Sequence, residues 1–304
     1  MIRLGLIGAG RWGRNYINTI AALESVRLVR LASRNPASRE LVGPECEVST
    51  DWRHFIDAGN LDGVIVATPP SLHAEMTIAA VAAGIPVLVE KPLTLELREA
   101  IALRDEVRSR NGLVMVDHTH LFHPAFEELK RQAPRLGTIR AIEAEAGARG
   151  PYRADVPVLW DWGPHDVAMC LDLLQRSPRD VRASREAHER VGGAEAETIR
   201  LDLAFGDGLQ ARIRLSNLID KTRRFAARCD AGVLVYDDMA RDKLVLEREG
   251  KAMPIEVSPE LPLSRVVKAF AAAISARKDR TGSLDLAVEV VAVLERCART
   301  HAGP

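Results

Sequence analysis

An aspartate and a histidine stand four residues apart in the segment Trp160-Asp-Trp-Gly-Pro-His165. Oxidation of an alcohol removes the hydroxyl proton while a hydride leaves the carbon, and a histidine that titrates near pH 7 performs this proton transfer well. We expect a helix to begin near Pro164, with His165 in its first turn. The pattern predicts His165 as the general acid or base and Asp161 as a residue that orients it or binds substrate. A structural hydrogen bond of His165 is the alternative, and Asp166 is expected to be exposed or to cap the helix.

A lysine follows a short apolar run in the triplet Glu90-Lys91-Pro92. The carboxyl ends of the strands border the ligand site in open α/β sheets. An ammonium group at this edge holds a substrate oxygen and stabilises the charge that develops there. We therefore expect Lys91 to lie at the ligand-facing edge of the sheet. A solvated surface lysine is the alternative.

A glycine-rich turn lies near the start of the chain, where Gly8, Gly10 and Gly13 form a GxGxxG pattern between an apolar strand and a helix. In dinucleotide-binding folds these glycines permit a tight turn, a close approach of the pyrophosphate and close packing of helix and strand. The free N–H groups of the helix attract the phosphates. The pattern predicts a dinucleotide site that includes Arg11 and Trp12. A turn that serves packing alone is the alternative.

The end of the second predicted strand indicates which dinucleotide binds. Versions that bind NAD carry an acidic residue about twenty residues after the turn. This chain has Ser33 and Arg34 instead. A hydroxyl and a guanidinium suit a 2′-phosphate, which a carboxylate would repel. We expect NADP, with NAD as the alternative if Arg34 only stacks on the adenine.

A second segment at the predicted sheet edge reads Thr68-Pro-Pro-Ser-Leu-His73, where a strand ends in prolines and a helix begins. With the glycine turn and the Glu-Lys-Pro triplet, it makes the chain resemble the Gfo/Idh/MocA family of NAD(P)-dependent oxidoreductases over nearly its whole length. The resemblance implies that Lys91 is a catalytic residue beside the nicotinamide and the reacting carbinol, and that Glu90 orients it. It also implies a cis Lys91-Pro92 bond, an Asp161 and His165 pair at the substrate, and cofactor contacts from Thr68, Pro69, His73, Glu90 and Lys91.

Three histidines, at 118, 120 and 123, stand close together in the sequence. Their spacing matches no compelling metal-ligand template, so no metal site is predicted. This stretch resembles the family's sugar-nucleotide subgroup, which includes 3-dehydrogenases of UDP-linked amino sugars. The resemblance implies that His118 and His120 contact substrate or cofactor. Tyr152 and Arg153, in the loop before Asp161, are candidates for binding a diphosphate or carboxylate of the substrate.

The elements that position these residues follow from periodicity. Up to about residue 118, short apolar runs alternate with amphipathic segments, as in a parallel sheet with helical crossovers. Beyond residue 124, successive strands with short turns predict a largely antiparallel sheet. We expect a dinucleotide-binding α/β Rossmann domain at 1–120 and an α+β domain for substrate binding and oligomerisation at 121–304. The helical segments at 264–276 and 284–300 fall in the second domain.

Composition excludes several classes of function. The 304 residues include 42 Lys+Arg and 42 Asp+Glu, so no net basic charge attracts nucleic acid. We see no apolar run of membrane-spanning length, no secretory signal and no paired cysteines. We expect a cytoplasmic protein with a small, polar, sugar-like substrate. An apolar sheet face left uncovered by helices predicts a homo-oligomer through the C-terminal sheet.

These observations favour an oxidoreductase that transfers a hydride between a nicotinamide cofactor and a carbinol or ketone of a sugar, sugar nucleotide or cyclitol. A regulatory protein that senses the dinucleotide without catalysis is one alternative, because a fold does not guarantee a reaction. A reductase of an imine or a pigment-type substrate is another. For such a substrate, the Asp161 and His165 pair would matter less.

Overall fold

The computed structural model describes residues 1–57, 59–150, 152, 156–277 and 282–301. The chain divides into two compact units. The first unit comprises Met1–Thr119 and Leu261–Val291, and the second comprises His120–Glu260 and Ala292–Pro304.

The first unit contains a six-stranded parallel sheet with the strand order β3-β2-β1-β4-β5-β6. This is the doubly wound order of a Rossmann fold, as the sequence predicts. The strands β4 to β6 are buried at every residue, which explains their uninterrupted apolar runs. The strands are β1 (Ile2–Ile7), β2 (Val26–Ala32), β3 (Glu47–Ser49), β4 (Gly63–Val66), β5 (Val87–Glu90) and β6 (Val114–Asp117), and the helices along this part of the chain are α1 (Arg11–Ala21), α2 (Arg53–Asp57), α3 (His73–Ala82) and α4 (Leu97–Ser109).

The second unit contains an eight-stranded sheet with the order β14-β13-β12-β11-β7-β10-β9-β8. Its pairs are antiparallel except β7 with β10, so the prediction of a largely antiparallel sheet is confirmed. The strand β14 has four exposed residues without alternating polarity, and the sequence analysis missed it. The elements are α5 (Pro124–Gln132), β7 (Ile139–Gly147), α6 (Val158–Leu174), β8 (Asp180–Val191), β9 (Ala194–Gly206), β10 (Leu209–Ser216), β11 (Thr222–Cys229), β12 (Gly232–Asp237), β13 (Leu244–Arg248) and β14 (Lys251–Pro254).

Helix α6 begins at Val158, six residues before the predicted start, and Pro164 lies inside it. A proline in a helix interior removes one backbone hydrogen bond and is normally unfavourable. Packing offsets this cost here. Val158, Leu159 and Trp160 are buried, and a Cβ atom at Gly163 would lie 2.8 Å from Leu294 Cδ2.

One face of the second sheet packs against α6, and the opposite face is charged. Arg214 contacts Glu145 at 2.6 Å and Glu186 at 2.9 Å, and neighbouring strands continue the pattern with Arg228 and Glu143. The expectation of an apolar uncovered face is therefore wrong. Alternation along each strand places apolar residues on the α6 side and arginine and carboxylate side chains on the other.

The chain ends with α7 (Pro262–Ala276) and α8 (Ser283–His301). The segment Leu261–Val291 belongs to the first unit, whereas the sequence analysis placed it in the second domain. The physical reason is the fit of α7 against β4. A Cβ atom at Gly63 would lie 2.7 Å from Ile274 Cδ1 and 2.9 Å from Phe270 Cζ. No helix within the described ranges has both the length and the apolar character to cross a membrane.

Candidate active site

The glycine turn of the first unit has little room for side chains at two of its three positions. Gly8 has a φ of +102°, and a Cβ atom there would lie 2.5 Å from the carbonyl oxygen of Ala67. A Cβ atom at Gly13 would lie 2.0 Å from the carbonyl oxygen of Gly8. At Gly10, by contrast, a Cβ atom would meet no described atom within 4 Å. The turn therefore has no space for a side chain at Gly8 or Gly13, whereas the space next to Gly10 is free for a ligand.

The N-terminus of α1 faces this open side. Gly10 is the N-cap residue with extended backbone angles, and it supplies no capping side chain to the first N–H groups. The first turn, from Arg11 to Arg14, contains no acidic residue. Arg11 is exposed and Trp12 half-buried. Free N–H donors, a helix dipole and space for close approach fit the pyrophosphate of a dinucleotide.

The end of β2 presents a hydroxyl and a guanidinium. Ser33 Oγ lies 2.8 Å from Ser38 Oγ, within the short helix that follows. Asn35 caps this helix by accepting a hydrogen bond from the N–H of Ala37 at 3.1 Å. Arg34 is exposed.

His73 connects two segments at the sheet edge. Its Nδ1 lies 2.8 Å from the carbonyl oxygen of Pro92, and its Nε2 lies 2.9 Å from that of Thr68. Burial, followed by the positive charge of Lys91, lowers the pKa of His73 despite these two carbonyl oxygens. A neutral imidazole donates one hydrogen bond, so His73 donates to one carbonyl at a time. The Lys91-Pro92 bond is cis, as the resemblance implied, and Pro69 is exposed beside Thr68.

Lys91 is a buried lysine with 9% of its surface exposed, so the alternative of a solvated surface residue is wrong. It follows β5 directly, at the carboxyl edge of the sheet. The backbone N–H of Lys91 donates to Glu90 Oε2 at 3.2 Å, which fixes the glutamate beside the lysine.

Two buried residues that the sequence analysis did not single out complete the surroundings of Glu90. The hydroxyl of Tyr16 donates to Asp117 Oδ2 at 2.5 Å, and Thr119 Oγ1 donates to Asp117 Oδ1 at 2.7 Å. Tyr16 and Asp117 are both fully buried. A tyrosine on the buried face of a predicted helix was the available signal, because a buried hydroxyl needs a partner.

His118 lies directly after Asp117 and is 2% exposed. Neither ring nitrogen has a hydrogen-bond partner among the described residues. Burial, followed by the positive charge of Lys91, lowers the pKa of His118 to about 3. The imidazole is therefore neutral near pH 7, with one N–H donor and one nitrogen acceptor to offer a ligand.

In the second unit, Asp161 and His165 lie one turn apart on α6, where residues i and i+4 share a helix face. Asp161 is half-buried and His165 is buried. The ring of His120 meets that of His165 edge-on, with centroids 5.0 Å apart. The structure thus brings together His120 and His165, which are 45 residues apart in the sequence.

Tyr236 on β12 was not predicted as part of this group. Its hydroxyl lies 2.9 Å from Nδ1 of His120. Burial, followed by the charge of Asp238, raises the pKa of Tyr236, so its hydroxyl keeps its proton. No local sequence pattern predicts this contact, because Tyr236 and His120 are 116 positions apart in the sequence.

Asp166 is fully buried, so the expectation that it is exposed or capping is wrong. The earlier start of α6 turns it toward β11, where Arg223 Nη1 lies 2.9 Å from its Oδ2. The guanidinium of Arg223 also lies 5.5 Å from the ring of Trp162. This buried ion pair fixes α6 on the sheet.

The third histidine of the cluster has a structural role. His123 caps α5 by accepting from the N–H of Ala125, and its Nε2 lies 3.3 Å from Asp238. The hydrogen bond from His123 is the largest cause that lowers the pKa of Asp238, to about 2. Tyr152 is half-buried, whereas Arg153 lies outside the described residues.

The first unit matches a model of an oxidoreductase family with an NAD-binding Rossmann fold over residues 2–118. A crystal structure of an oxidoreductase from Magnetospirillum magnetotacticum MS-1 is similar to nearly the whole chain. It is 48% identical, covers 97% of this chain and 99% of the other, and superimposes with a TM-score of 0.93. Residues 2–118 belong to the Gfo/Idh/MocA oxidoreductase family.

Two curated relatives show which activities occur among similar proteins. A UDP-N-acetylglucosamine 3-dehydrogenase from Acidithiobacillus ferrooxidans is 29% identical over 73% of this chain and 69% of its own length. An inositol 2-dehydrogenase from Saccharopolyspora erythraea is 36% identical, over 43% of this chain and 40% of its own length.

The matched oxidoreductase family and the dehydrogenases among the similar proteins indicate an NAD(P)-dependent dehydrogenase or reductase. The open turn above Gly10 and the uncapped N-terminus of α1 fit that cofactor. When bound, the nicotinamide supplies the carbon that accepts or donates the hydride.

Proposed function

We propose that this enzyme uses NADP to oxidise a carbinol, or to reduce the corresponding ketone, of a sugar, sugar nucleotide or cyclitol. One observation carries the proposal. A buried lysine and a neutral histidine whose two nitrogens have no partner in the described chain lie at the carboxyl edge of a dinucleotide-binding sheet. A polyol satisfies such a pair, because each hydroxyl both donates and accepts hydrogen bonds.

We assign to Lys91 a hydrogen bond from its ammonium to the reacting oxygen, which stabilises the negative charge that develops as the carbinol loses its proton. His118 binds a hydroxyl of the substrate or the carboxamide of the cofactor. Because His118 is neutral over the whole working range of pH, its contact does not change with protonation.

We assign the transfer of the hydroxyl proton to His165, with Asp161 on the same face of α6 orienting it or binding substrate. His120 lies against His165, and its own orientation is held by the Tyr236 hydroxyl. We assign Tyr152 and Arg153 to substrate contacts, as the sequence analysis predicted.

NADP is favoured over NAD by the end of β2. Ser33 and Arg34 offer a hydroxyl and an exposed guanidinium, and the run from Leu31 to Asn35 contains no carboxylate. We assign the pyrophosphate contacts to the glycine turn and the start of α1, at Gly8, Gly10, Arg11, Trp12 and Gly13. We assign Thr68, Pro69 and Glu90 to the nicotinamide side, and His73 to holding this edge in shape.

Homo-oligomerisation through the second sheet is part of the proposal. The charged face carries both signs in alternation, so a second copy can pair arginines with carboxylates. Sedimentation velocity at low and high salt tests this. An oligomer that dissociates as salt rises supports it, and a monomer at low salt overturns it. We also propose a cytoplasmic location, which suits the four free cysteines.

The function is tested by following the absorbance of the reduced nicotinamide with a panel of UDP-sugars, free sugars and inositols. We expect turnover on at least one member, and its loss in Lys91→Ala and His165→Ala. Unaltered NADPH binding by His165→Ala and a cooperative thermal unfolding transition in both variants serve as controls. Tight NADPH binding without turnover on the whole panel would instead favour a dinucleotide sensor.

A further inference from the structure

Two buried carboxyl groups, of Glu90 and Asp117, lie side by side at the strand ends next to Lys91. Glu90 ends β5 and Asp117 ends β6, and the two residues are partners in the register of these parallel strands. Partners in register point to the same face of a sheet. Glu90 is 5% exposed and Asp117 is fully buried, so neither charge is well hydrated.

Two ionised carboxylates in this position repel each other, and burial disfavours each charge further. The hydrogen bonds favour the charge on Asp117. Both oxygens of Asp117 accept hydrogen bonds from hydroxyl groups, of Tyr16 at 2.5 Å and of Thr119 at 2.7 Å. Glu90 accepts one from the Lys91 N–H and has the Tyr16 hydroxyl nearby as a weaker partner, and its Oε1 has no hydrogen bond in the described part of the chain.

The pKa values follow this difference. Burial, followed by the charge of Asp117, raises the pKa of Glu90 to about 8. Burial raises the pKa of Asp117 as well, whereas the hydrogen bonds from Tyr16 and Thr119 oppose that change. The pKa of Tyr16 is raised well above its usual range by burial and then by the charges of Asp117 and Glu90. Tyr16 therefore remains a hydroxyl donor.

The other titratable groups that face the lysine add no charge. His73 on α3 and His118 after β6 both have a lowered pKa, with burial as the first cause and Lys91 as a further one. The charges of this group are therefore shared among Lys91, Glu90 and Asp117.

We propose that Tyr16 and Asp117 are positioning residues that act on Lys91 through Glu90, in a cluster where Glu90 keeps its proton and a single negative charge faces the lysine. A second negative charge would hold the ammonium against the cluster and away from a substrate oxygen. The inference rests on the proposed role of Lys91 and adds residues that the function does not otherwise require.

Infrared spectroscopy on the full-length enzyme tests the proton directly and needs no substrate. We expect a protonated-carboxyl C=O band at pH 7 that shifts when glutamate carboxyls carry ¹³C, disappears in Glu90→Gln, and titrates with a midpoint near pH 8. Asp117→Asn removes the repelling charge, so the midpoint should fall by about one pH unit or more. Absence of the glutamate band, or a midpoint that Asp117→Asn leaves unchanged, would overturn the cluster.

Two further variants test whether the glutamate band depends on the Tyr16 hydroxyl in particular or on any buried hydroxyl of the first unit. Tyr16→Phe removes a donor that stabilises ionised Asp117 more than ionised Glu90, so part of the proton moves to Asp117 and the glutamate band at pH 7 weakens. Thr77→Val is the matched control, because it removes another buried hydroxyl of the same unit, one without a hydrogen bond in the described chain. The band should be unchanged in Thr77→Val, and an equal loss in both variants would contradict the assignment.

The kinetic readout tests positioning. The kcat of the wild type should fall above about pH 8, and Glu90→Gln should abolish this alkaline limb. Asp117→Asn should move the limb to lower pH together with the infrared midpoint. If the infrared results are as expected but the alkaline limb of kcat does not move in Asp117→Asn, the positioning role is wrong, whereas the proton on Glu90 is confirmed. If no substrate turns over, the infrared experiment still decides the cluster, so the two failures are distinguishable.

Discussion

Replacement of Gly10 by alanine separates cofactor binding from folding. Gly10 has φ −69° and ψ −164°, angles that alanine adopts without strain. A Cβ atom there meets no described atom within 4 Å. Gly10→Ala should therefore fold with the stability of the wild type. The methyl group would occupy the space through which the pyrophosphate approaches the N–H groups of α1.

The size of the effect follows from the hydrogen bonds that are lost. A hydrogen bond to a charged group contributes about 1.5 to 3 kcal/mol, so the loss of one weakens NADPH binding roughly 10- to 150-fold. Fluorescence titration with NADPH measures this change, and thermal unfolding measures stability. Gly43→Ala is the matched control, because Gly43 lies in the same unit and its Cβ position is also open. The reasoning fails if Gly10→Ala binds NADPH like Gly43→Ala, or if it unfolds at a lower temperature.

Three further predictions concern other parts of the chain. Arg34→Asp should weaken NADPH binding about 10- to 150-fold, whereas NADH binding should change little. Parallel fluorescence titrations with the two cofactors measure this difference. Equal losses for both cofactors would contradict the role of Arg34 in 2′-phosphate binding. Arg223→Met leaves Asp166 buried without its partner, and the free energy of unfolding measured in urea should fall by about 3 to 5 kcal/mol; a loss below about 1 kcal/mol would show that this ion pair does not fix α6. Because the folded pKa of Glu90, about 8, lies above the ordinary 4.5, the folded state holds a proton that the unfolded state has released between these values. Stability should therefore decline as pH rises through that window, by at most about 5 kcal/mol, and Glu90→Gln should flatten the decline; identical pH dependence in both proteins would refute it.

Local sequence patterns predicted those parts of the candidate site that are formed by residues close together in the sequence. The glycine turn and the Glu90-Lys91-Pro92 triplet fall where expected, because each is one strand end with a loop. The start of α6 was missed since Pro164 normally marks a first turn, whereas buried packing around Gly163 tolerates it within the helix. The same shift explains the buried Asp166.

Contacts between distant residues could not be predicted. Tyr16 and Asp117 are 101 positions apart, and their hydrogen bond depends on how α1 packs over the end of β6. Likewise, α7 joins the first unit because Ile274 fits against a glycine in β4. Periodicity identifies a helix and its apolar face, but it does not say which surface covers that face.

Hydride transfer is the central claim, and one assay addresses it most directly. The purified enzyme is titrated with NADPH and NADH by fluorescence, and the same preparation is then incubated with oxidised cofactor and a panel of sugars, sugar nucleotides and inositols. The account predicts tighter binding of NADPH than of NADH and the appearance of reduced nicotinamide with at least one substrate, lost in Lys91→Ala. Binding of neither dinucleotide by a folded protein would contradict it.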